Sequence, residues 1–203
     1  CPGYCAPDSA IEYGRYHAAI EAQLSESAGL AWTVLQPTPF MQNHLGDIFG
    51  TLPHKLLAYP RTAEQLESGV ARIVDTRDVG EIAAKLLLLE EQERGAHHGK
   101  KYHVCGPAGW SVRRLAGLYE DALKLPAGTI TCVDNLSEAD YADSLEKNAG
   151  FPGWLAAAVA RNQIFWAESK LDYASSEPVL ALHPEFRTME AWVKEHAPLV
   201  KMG

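Results

Sequence analysis

Three side chains that could exchange protons lie close together near the start of the chain, in the stretch EYGRYHAAIEAQL of residues 12–24. Tyr13, His17 and Glu21 follow one another at spacings of four, so a helix would place all three on one face. A phenol beside an imidazole suits general acid–base catalysis, because histidine titrates near neutral pH and a nearby cation or hydrogen bond lowers the pKa of a tyrosine. We therefore predict an acid–base site at Tyr13 and His17, with an ordinary polar helix face as the alternative.

The residues around this stretch predict the helix that must present these side chains. Residues 1–10 combine Pro, Gly and Asp without periodicity, which predicts a loop that ends at an N-cap, either Asp8 or Ser9. A helix is predicted over 11–27, and Gly29 would supply the left-handed residue that follows its end. The predicted apolar side of this helix consists of Ile11, Ala18, Ala19, Ala22 and Leu24.

The next stretch, LAWTVLQPTPF of residues 30–40, predicts a buried strand followed by a stiff bend. Its β-branched and apolar run is typical of a buried parallel strand, and Pro37 stops it. Pro37 and Pro39 remove two backbone donors, so the chain over 37–40 should form an extended elbow. Ligands of α/β folds bind at the carboxyl edge of the sheet, so we expect this elbow to line a binding site.

Short strands and helices alternate along the rest of the chain, which predicts an α/β fold with a largely helical C-terminal part. A turn or short helix is expected over 41–52. Strands are expected within 55–60, 71–78, 99–109 and 129–134, and helices over 78–91, 112–125, 137–149, 153–171 and 188–197. Asp78 is the expected N-cap of the helix over 78–91, and Ser111 is the expected N-cap of the helix over 112–125. The core side of the helix over 78–91 would be Ile82, Ala83, Leu86, Leu87 and Leu89.

Composition excludes several classes of protein. The chain has 203 residues, of which 47% are apolar and 22% charged, as in an ordinary globular protein. The net charge of −8 and the lack of Lys and Arg clusters argue against nucleic acid as a partner. No apolar run is long enough to span a membrane and no signal peptide is visible, so we expect a cytoplasmic protein. The four cysteines, Cys1, Cys5, Cys105 and Cys132, lack the spacing of a zinc site.

No metal site is predicted elsewhere either. His17 and Glu21 could supply two ligands, but a third is not visible, and His97 and His98 are adjacent residues that point apart. Cys105 is expected to be a small buried hydrophobic residue rather than a reactive thiol.

Three phrases together resemble the NmrA-like branch of the atypical short-chain dehydrogenases/reductases. They are HAAIEAQLSESAGLAWTVLQPTPFMQN, VDTRDVGEIAAKLL and HHGKKYHVCGPAGWSVRRLAGLYEDAL, and they occur in the family's order. The resemblance implies a truncated Rossmann-like fold with a helical substrate cap. It begins after the family's first strands and helices, and the glycine-rich turn G-x-x-G-x-x-G that holds the pyrophosphate is not found in this sequence.

The resemblance also implies roles for individual residues. Tyr13 and His17 would lie near the nicotinamide ribose and take the catalytic roles. Gln36 stands where the family usually has an arginine, so an anchoring charge is missing. The division implied is a Rossmann-like remnant over 1–105 and a mostly helical substrate-binding part over 106–203. The residues expected to seat the cofactor are Pro37, Thr38, Pro39, Phe40 and Asn43.

The substrate is expected to be a small, largely apolar carbonyl or aromatic molecule. Its pocket would be lined by Met41, Trp154, Phe165 and Trp166, although these aromatic residues suit a core equally well. An NADPH-dependent reductase is implied if a dinucleotide-binding half accompanies the chain, and NADPH should bind weakly to this chain alone. The alternatives are a redox-neutral cyclase, isomerase or dehydratase, and a non-catalytic NAD(P)-sensing regulator. Because few strands remain, we also expect a homodimer or a missing N-terminal segment to cover the sheet edge.

Overall fold

The computed structural model describes residues 4–168 and 174–201, and its elements alternate in the manner expected of an α/β fold. The helices are α1 Glu12–Glu26, α2 Gln65–Ser68, α3 Thr76–Leu88, α4 Glu91–Gly95, α5 Val112–Leu123, α6 Glu138–Ala149, α7 Gly153–Glu168, α8 Glu177–Leu182 and α9 Met189–His196. The strands are β1 Thr33–Pro37, β2 Leu56–Ala58, β3 Ala71–Arg72, β4 Lys100–Val104, β5 Gly109–Trp110 and β6 Thr131–Val133. Short 3-10 turns occupy Met41–His44, Leu52–His54 and Ala197–Leu199, and a π turn occupies Asp47–Thr51.

Two parallel strand pairs and one antiparallel pair form the described sheets. β1 pairs with β4 in parallel, with Thr33 opposite Lys100 and Pro37 opposite Val104. β2 pairs with β6 in parallel, and β3 pairs with β5 in an antiparallel manner. Parallel neighbours joined through helices are typical of Rossmann-like proteins, so the predicted α/β class is confirmed.

Two clusters of buried side chains hold the elements together. The larger joins the turns of residues 41–54 to α5 and α9, with Trp192 and Tyr119 among its most buried members. The smaller packs α3 against β4 and α8, through residues such as Ile82, Val104 and Val179. The division of the chain at residue 105 stays a prediction.

The elements agree with most of the sequence predictions, and Ser111 caps α5 by accepting a hydrogen bond from the Arg114 backbone N–H. The cap of α3 is different. The helix begins at Thr76 and Asp75 caps it, accepting a hydrogen bond from the Arg77 N–H at 2.8 Å. Both aspartates precede the apolar repeat, so the prediction of Asp78 placed the cap one turn too late.

Two predicted core faces are also corrected. Leu87 on α3 is 72% exposed, because only the stripe through Ile82 and Leu86 faces β4. On α1 the alanines Ala19 and Ala22 are exposed, whereas the side chain that turns inward is Glu21.

The N-terminus of α1 differs from the expected capping as well. Ile11 occupies the N-cap position without a side-chain cap, and the Ser9 hydroxyl instead accepts a hydrogen bond from the Ile11 N–H. Gly29 has a φ of 78°, as the sequence predicted. The predicted helix over 153–171 is found as α7, and its last three residues lie outside the described part. Among the described helices, none combines the length and the apolar character needed to cross a membrane.

Candidate active site

A cavity of about 640 Å³ lies between α1, β1 and α7. The edge of β1, the elbow after it and the inner face of α1 form most of its wall, and the N-terminal segment and α7 close it. Most of this wall is apolar, which suits a ring-shaped organic molecule with few polar groups. The apolar lining residues are Ile20, Leu24, Val34, Leu35, Pro37, Pro39, Phe40 and Trp166.

The helix α1 turns its polar stripe toward this cavity. Tyr13, His17 and Glu21 all line it, as their spacing of four residues predicts for one helix face. Tyr13 is partly buried, whereas His17 is exposed to solvent. The structure therefore brings the two predicted acid–base residues to the same cavity as the elbow.

The protonation of Tyr13 depends on its burial and on two neighbouring polar side chains. Burial raises the pKa of Tyr13 to about 12, and hydrogen bonds from Tyr4 and Asn162 oppose part of that rise. A hydrogen bond lowers the pKa of a phenol when the phenol oxygen accepts it, so both partners donate to Tyr13. The expectation of a lowered pKa is therefore wrong, because desolvation outweighs the two bonds. Tyr13 keeps its proton at neutral pH and can act as a donor.

The N-terminal segment reaches Tyr13 because α1 has no side chain at Gly14. A Cβ atom there would collide with the carbonyl oxygen of Tyr4 and lie 2.9 Å from the Ser9 hydroxyl. The segment can therefore pack directly on the helix, with the Tyr4 and Tyr13 ring centroids 6.0 Å apart. Glycine at this position is what allows Tyr4 to form part of the site.

Glu21 joins α1 to the sheet through a charged contact at the cavity wall. Its carboxylate accepts a hydrogen bond from Lys101 at 2.6 Å and another from the Gln36 amide at 2.9 Å. Burial would raise the pKa of Glu21, but these bonds outweigh it, so the pKa lies below its ordinary value. The charge that Gln36 lacks is thus present nearby on Lys101, one strand away.

Backbone hydrogen bonds hold the elbow of residues 37–40 in place. The Thr38 N–H donates to the Val104 carbonyl at 3.0 Å, which continues the pairing of β1 with β4. The Val74 N–H donates to the Pro39 carbonyl at 2.8 Å. Pro37, Thr38, Pro39 and Phe40 all line the cavity, and Asn43 lies beside them with its side chain exposed.

Three residues predicted for the substrate pocket lie elsewhere. Met41 is fully buried in the larger core cluster, because its turn points it away from β1. Trp154 at the start of α7 is 51% exposed. Phe165 lines a separate, smaller cavity beside Ser9, and its ring contacts that of Tyr4. Trp166 lines the large cavity as predicted.

Sequence reasoning missed the polar residues Tyr4, Cys5 and Asn162 of the cavity wall. Tyr4 and Cys5 fall in a segment that has no periodic pattern, and Asn162 is a single polar residue in an alanine-rich helix. Burial raises the pKa of Cys5, and the nearby Glu21 carboxylate raises it further. Cys5 therefore remains a protonated thiol at neutral pH.

A cluster of possible metal ligands lies outside the cavity. Asp78, Glu81 and His183 have ligand atoms close enough to share an ion. Arg187 already occupies this position, since its guanidinium contacts both carboxylates and its backbone N–H donates to Asp78 at 3.0 Å. Lys85 lies 3.3 Å from the His183 ring nitrogen. Two cationic side chains at the cluster favour a structural ion-pair network.

These features define the class of protein. The architecture is that of the substrate-side part of a Rossmann-like α/β fold, with a cavity where a parallel strand ends.

A known protein is similar to the chain over most of the chain's length. The chain is 28% identical over 203 residues to an NAD(P)H azoreductase from Xenophilus azovorans, covering 95% of this chain and 62% of that protein. No protein-family model matches the sequence.

Solved structures share the fold. An NADPH-dependent quinone oxidoreductase from Escherichia coli superposes with a TM-score of 0.74 at 22% identity, over 91% of this chain and 62% of that one. A triphenylmethane reductase from Citrobacter sp. gives a TM-score of 0.72 at 17% identity, over 94% and 61% of the two chains. The chain thus spans somewhat less than two-thirds of the length of these proteins. The resemblance to Rossmann-like NAD(P)H-dependent reductases is confirmed at the level of the fold.

Proposed function

We propose that this chain is the substrate-side part of an NAD(P)H-dependent reductase that acts on small, largely apolar aromatic molecules with a conjugated carbonyl or azo group. The observation that carries the proposal is the cavity of about 640 Å³ that joins the predicted acid–base residues to the elbow. The similar proteins support it, since their names describe an azoreductase, a quinone oxidoreductase and a dye reductase. All three substrates are conjugated molecules that accept a hydride, and the azo group and the quinone also take up a proton.

The residues at the elbow fit the nicotinamide end of a dinucleotide. Pro37, Thr38, Pro39 and Phe40 form a stiff, backbone-bonded wall at the end of β1, and Asn43 offers an exposed amide at its edge. A flat wall of this kind can hold an aromatic ring against the substrate. The pyrophosphate would need donors that this sequence does not provide, since it contains no glycine-rich turn.

Bound NAD(P)H would supply the hydride, and the protein must then supply a proton and the correct orientation. Tyr13 is the proposed proton donor, because it is a neutral phenol that lines the cavity. When it gives up its proton, the hydrogen bonds from Tyr4 and Asn162 stabilise the phenolate that forms. His17, exposed at the cavity wall, is placed to return a proton from solvent to this site.

The direct test is NADPH oxidation by the 203-residue chain with 1,4-naphthoquinone as acceptor. NADPH is supplied at about millimolar concentration, since its binding to this chain should be weak. We expect oxidation that requires both the quinone and the chain. The proposal is overturned if neither NADPH nor NADH is oxidised with quinone, azo or triphenylmethane acceptors.

The same assay separates this proposal from the two alternatives of cofactor-free chemistry and regulation. A redox-neutral enzyme would convert its substrate at the same rate with and without NADPH. A regulator would bind the nicotinamide cofactor without consuming it in the presence of any acceptor.

A further inference from the structure

Asn162 on α7 presents an unused hydrogen-bond acceptor at the cavity wall. The residue is 5% exposed, yet its Oδ1 atom has no hydrogen-bond partner in the described part of the chain. Asn162 lowers the pKa of Tyr13, as an amide N–H near the phenol oxygen does, so the carbonyl is left for another partner. A buried carbonyl without a donor costs free energy, and a bound molecule with an N–H or O–H group would remove that cost.

Tyr13 complements this acceptor with a donor. Tyr13 lines the cavity, and both Tyr4 and Asn162 lower its pKa as donors to a phenol oxygen do, so its own hydroxyl hydrogen is available to a molecule in the cavity. Tyr13 on α1 and Asn162 on α7 both line the cavity. The wall thus offers one donor and one acceptor side by side.

The rest of the cavity does not compete for the same polar groups. Glu21 already accepts hydrogen bonds from Lys101 and Gln36. Phe40 and Trp166 contribute aromatic surface to the wall. A ligand ring would therefore lie on apolar surface and turn its polar edge toward Tyr13 and Asn162.

We propose that Asn162 is a specificity-determining residue, which selects substrates that carry an N–H donor next to the carbonyl that is reduced. The substrate carbonyl accepts the Tyr13 hydroxyl hydrogen, and the neighbouring N–H donates to Asn162 Oδ1. This inference rests on the proposed function for the class of substrate. The recognition by Asn162 is a property of binding and does not require the reaction.

Binding of two quinones of nearly equal size tests the inference. The probes are 2-amino-1,4-naphthoquinone, which has the donor, and 2-methyl-1,4-naphthoquinone, which has a methyl group in its place. Isothermal titration calorimetry on the 203-residue chain, without any nicotinamide, measures affinity alone. We expect the amino compound to bind about tenfold more tightly, the factor that one additional buried hydrogen bond provides.

Substitutions at Asn162 identify the acceptor. Asn162→Leu keeps the size of the side chain and removes the acceptor, so the two probes should bind equally. Asn162→Asp keeps an oxygen at the same position and should preserve the preference, which shows that the site still folds. Asn148→Leu makes the same change on the exposed surface of α6 and should leave the preference unchanged.

Three results would overturn the inference. They are equal affinities in the unaltered chain, a preference that survives in Asn162→Leu, and the failure of both probes to bind. Because no reductant is present, these results are independent of whether the chain oxidises NADPH. If the chain does not oxidise NADPH but still binds the amino probe more tightly, the proposed reaction is refuted and the role of Asn162 is supported.

Discussion

The Asn162 side chain on α7 lies close enough to the Tyr13 hydroxyl on α1 to lower the pKa of that phenol, and both residues line one cavity. The two residues are far apart in the sequence, and one belongs to a helix near the N-terminus and the other to the C-terminal helical part. Tyr13 is a partly buried residue of a helix whose polar stripe faces this cavity. The chemistry that we assign to the cavity depends on the proximity of these two residues.

Glu21 should stabilise the fold through its contacts with Lys101 and Gln36. We expect Glu21→Gln to lower the free energy of unfolding by about 1 kcal/mol at neutral pH, a modest value because Lys101 is partly exposed and solvent screens the pair. Urea unfolding measures it, with the exposed Glu26→Gln on the same helix as control. Glu21 is therefore unsuitable as a neutral control for substitutions at Tyr13.

The contribution of Glu21 should also depend on pH. Its pKa in the folded protein lies below the ordinary value, so the stabilisation is complete above the unfolded-state pKa of about 4.3. It is lost as the pH falls through the folded-state pKa. The difference between the parent and Glu21→Gln should therefore shrink on acidification, and a difference that grows at low pH would contradict the assignment.

Asp78 should matter more for stability than any exposed aspartate. It is fully buried, and it accepts hydrogen bonds from the Arg187 backbone and side chain and from His183 at 3.2 Å. We expect Asp78→Asn to cost about 2 kcal/mol, because charge-assisted hydrogen bonds are lost while Arg187 keeps its contact with Glu81. Chemical denaturation measures the loss.

A matched control for this prediction is available on α6. Asp143 forms an exposed ion pair with Lys147 at 2.8 Å, and Asp143→Asn should cost less than about 0.5 kcal/mol. Equal losses at the two aspartates would show that the buried network around Asp78 does not hold α3 to the segment around residue 187.

NADPH should bind this 203-residue chain weakly, with a dissociation constant of roughly millimolar order. The sequence has no glycine-rich turn to hold the pyrophosphate, and only the elbow remains to contact the nicotinamide. Calorimetric titration should therefore give similar affinities for NADPH and for reduced nicotinamide mononucleotide. A micromolar constant for NADPH, far below that of the mononucleotide, would show that other residues of this chain hold the phosphates.

Local patterns predict the parts of the site that depend on neighbouring residues in the chain. The spacing of Tyr13, His17 and Glu21 predicts their shared face, and the apolar run before Pro37 predicts β1. The elbow follows from the stiffness of proline.

The remaining features of the site depend on contacts between distant segments. Glu21 on α1 faces inward because its carboxylate pairs with Lys101 on the strand β4. Asn162 lies in a helix whose alanines give no signal for one particular face, so its position in the same cavity wall as Tyr13 follows only from the packing of distant segments. The raised pKa of Tyr13 has the same origin, because burial is a property of the packed structure.

Replacement of Tyr13 by Phe tests most directly the claim that this cavity is a reductase active site. The substitution removes only the hydroxyl, and Tyr16→Phe is the matched control, since Tyr16 lies on the same helix with its side chain 51% exposed and bonded to Glu12. The measurement is the kcat of NADPH-dependent reduction of 1,4-naphthoquinone by the 203-residue chain. We predict that Tyr13→Phe lowers kcat by about 10²-fold or more, whereas Tyr16→Phe retains the parent value. A Tyr13→Phe variant that reduces the quinone at the parent rate would contradict the account.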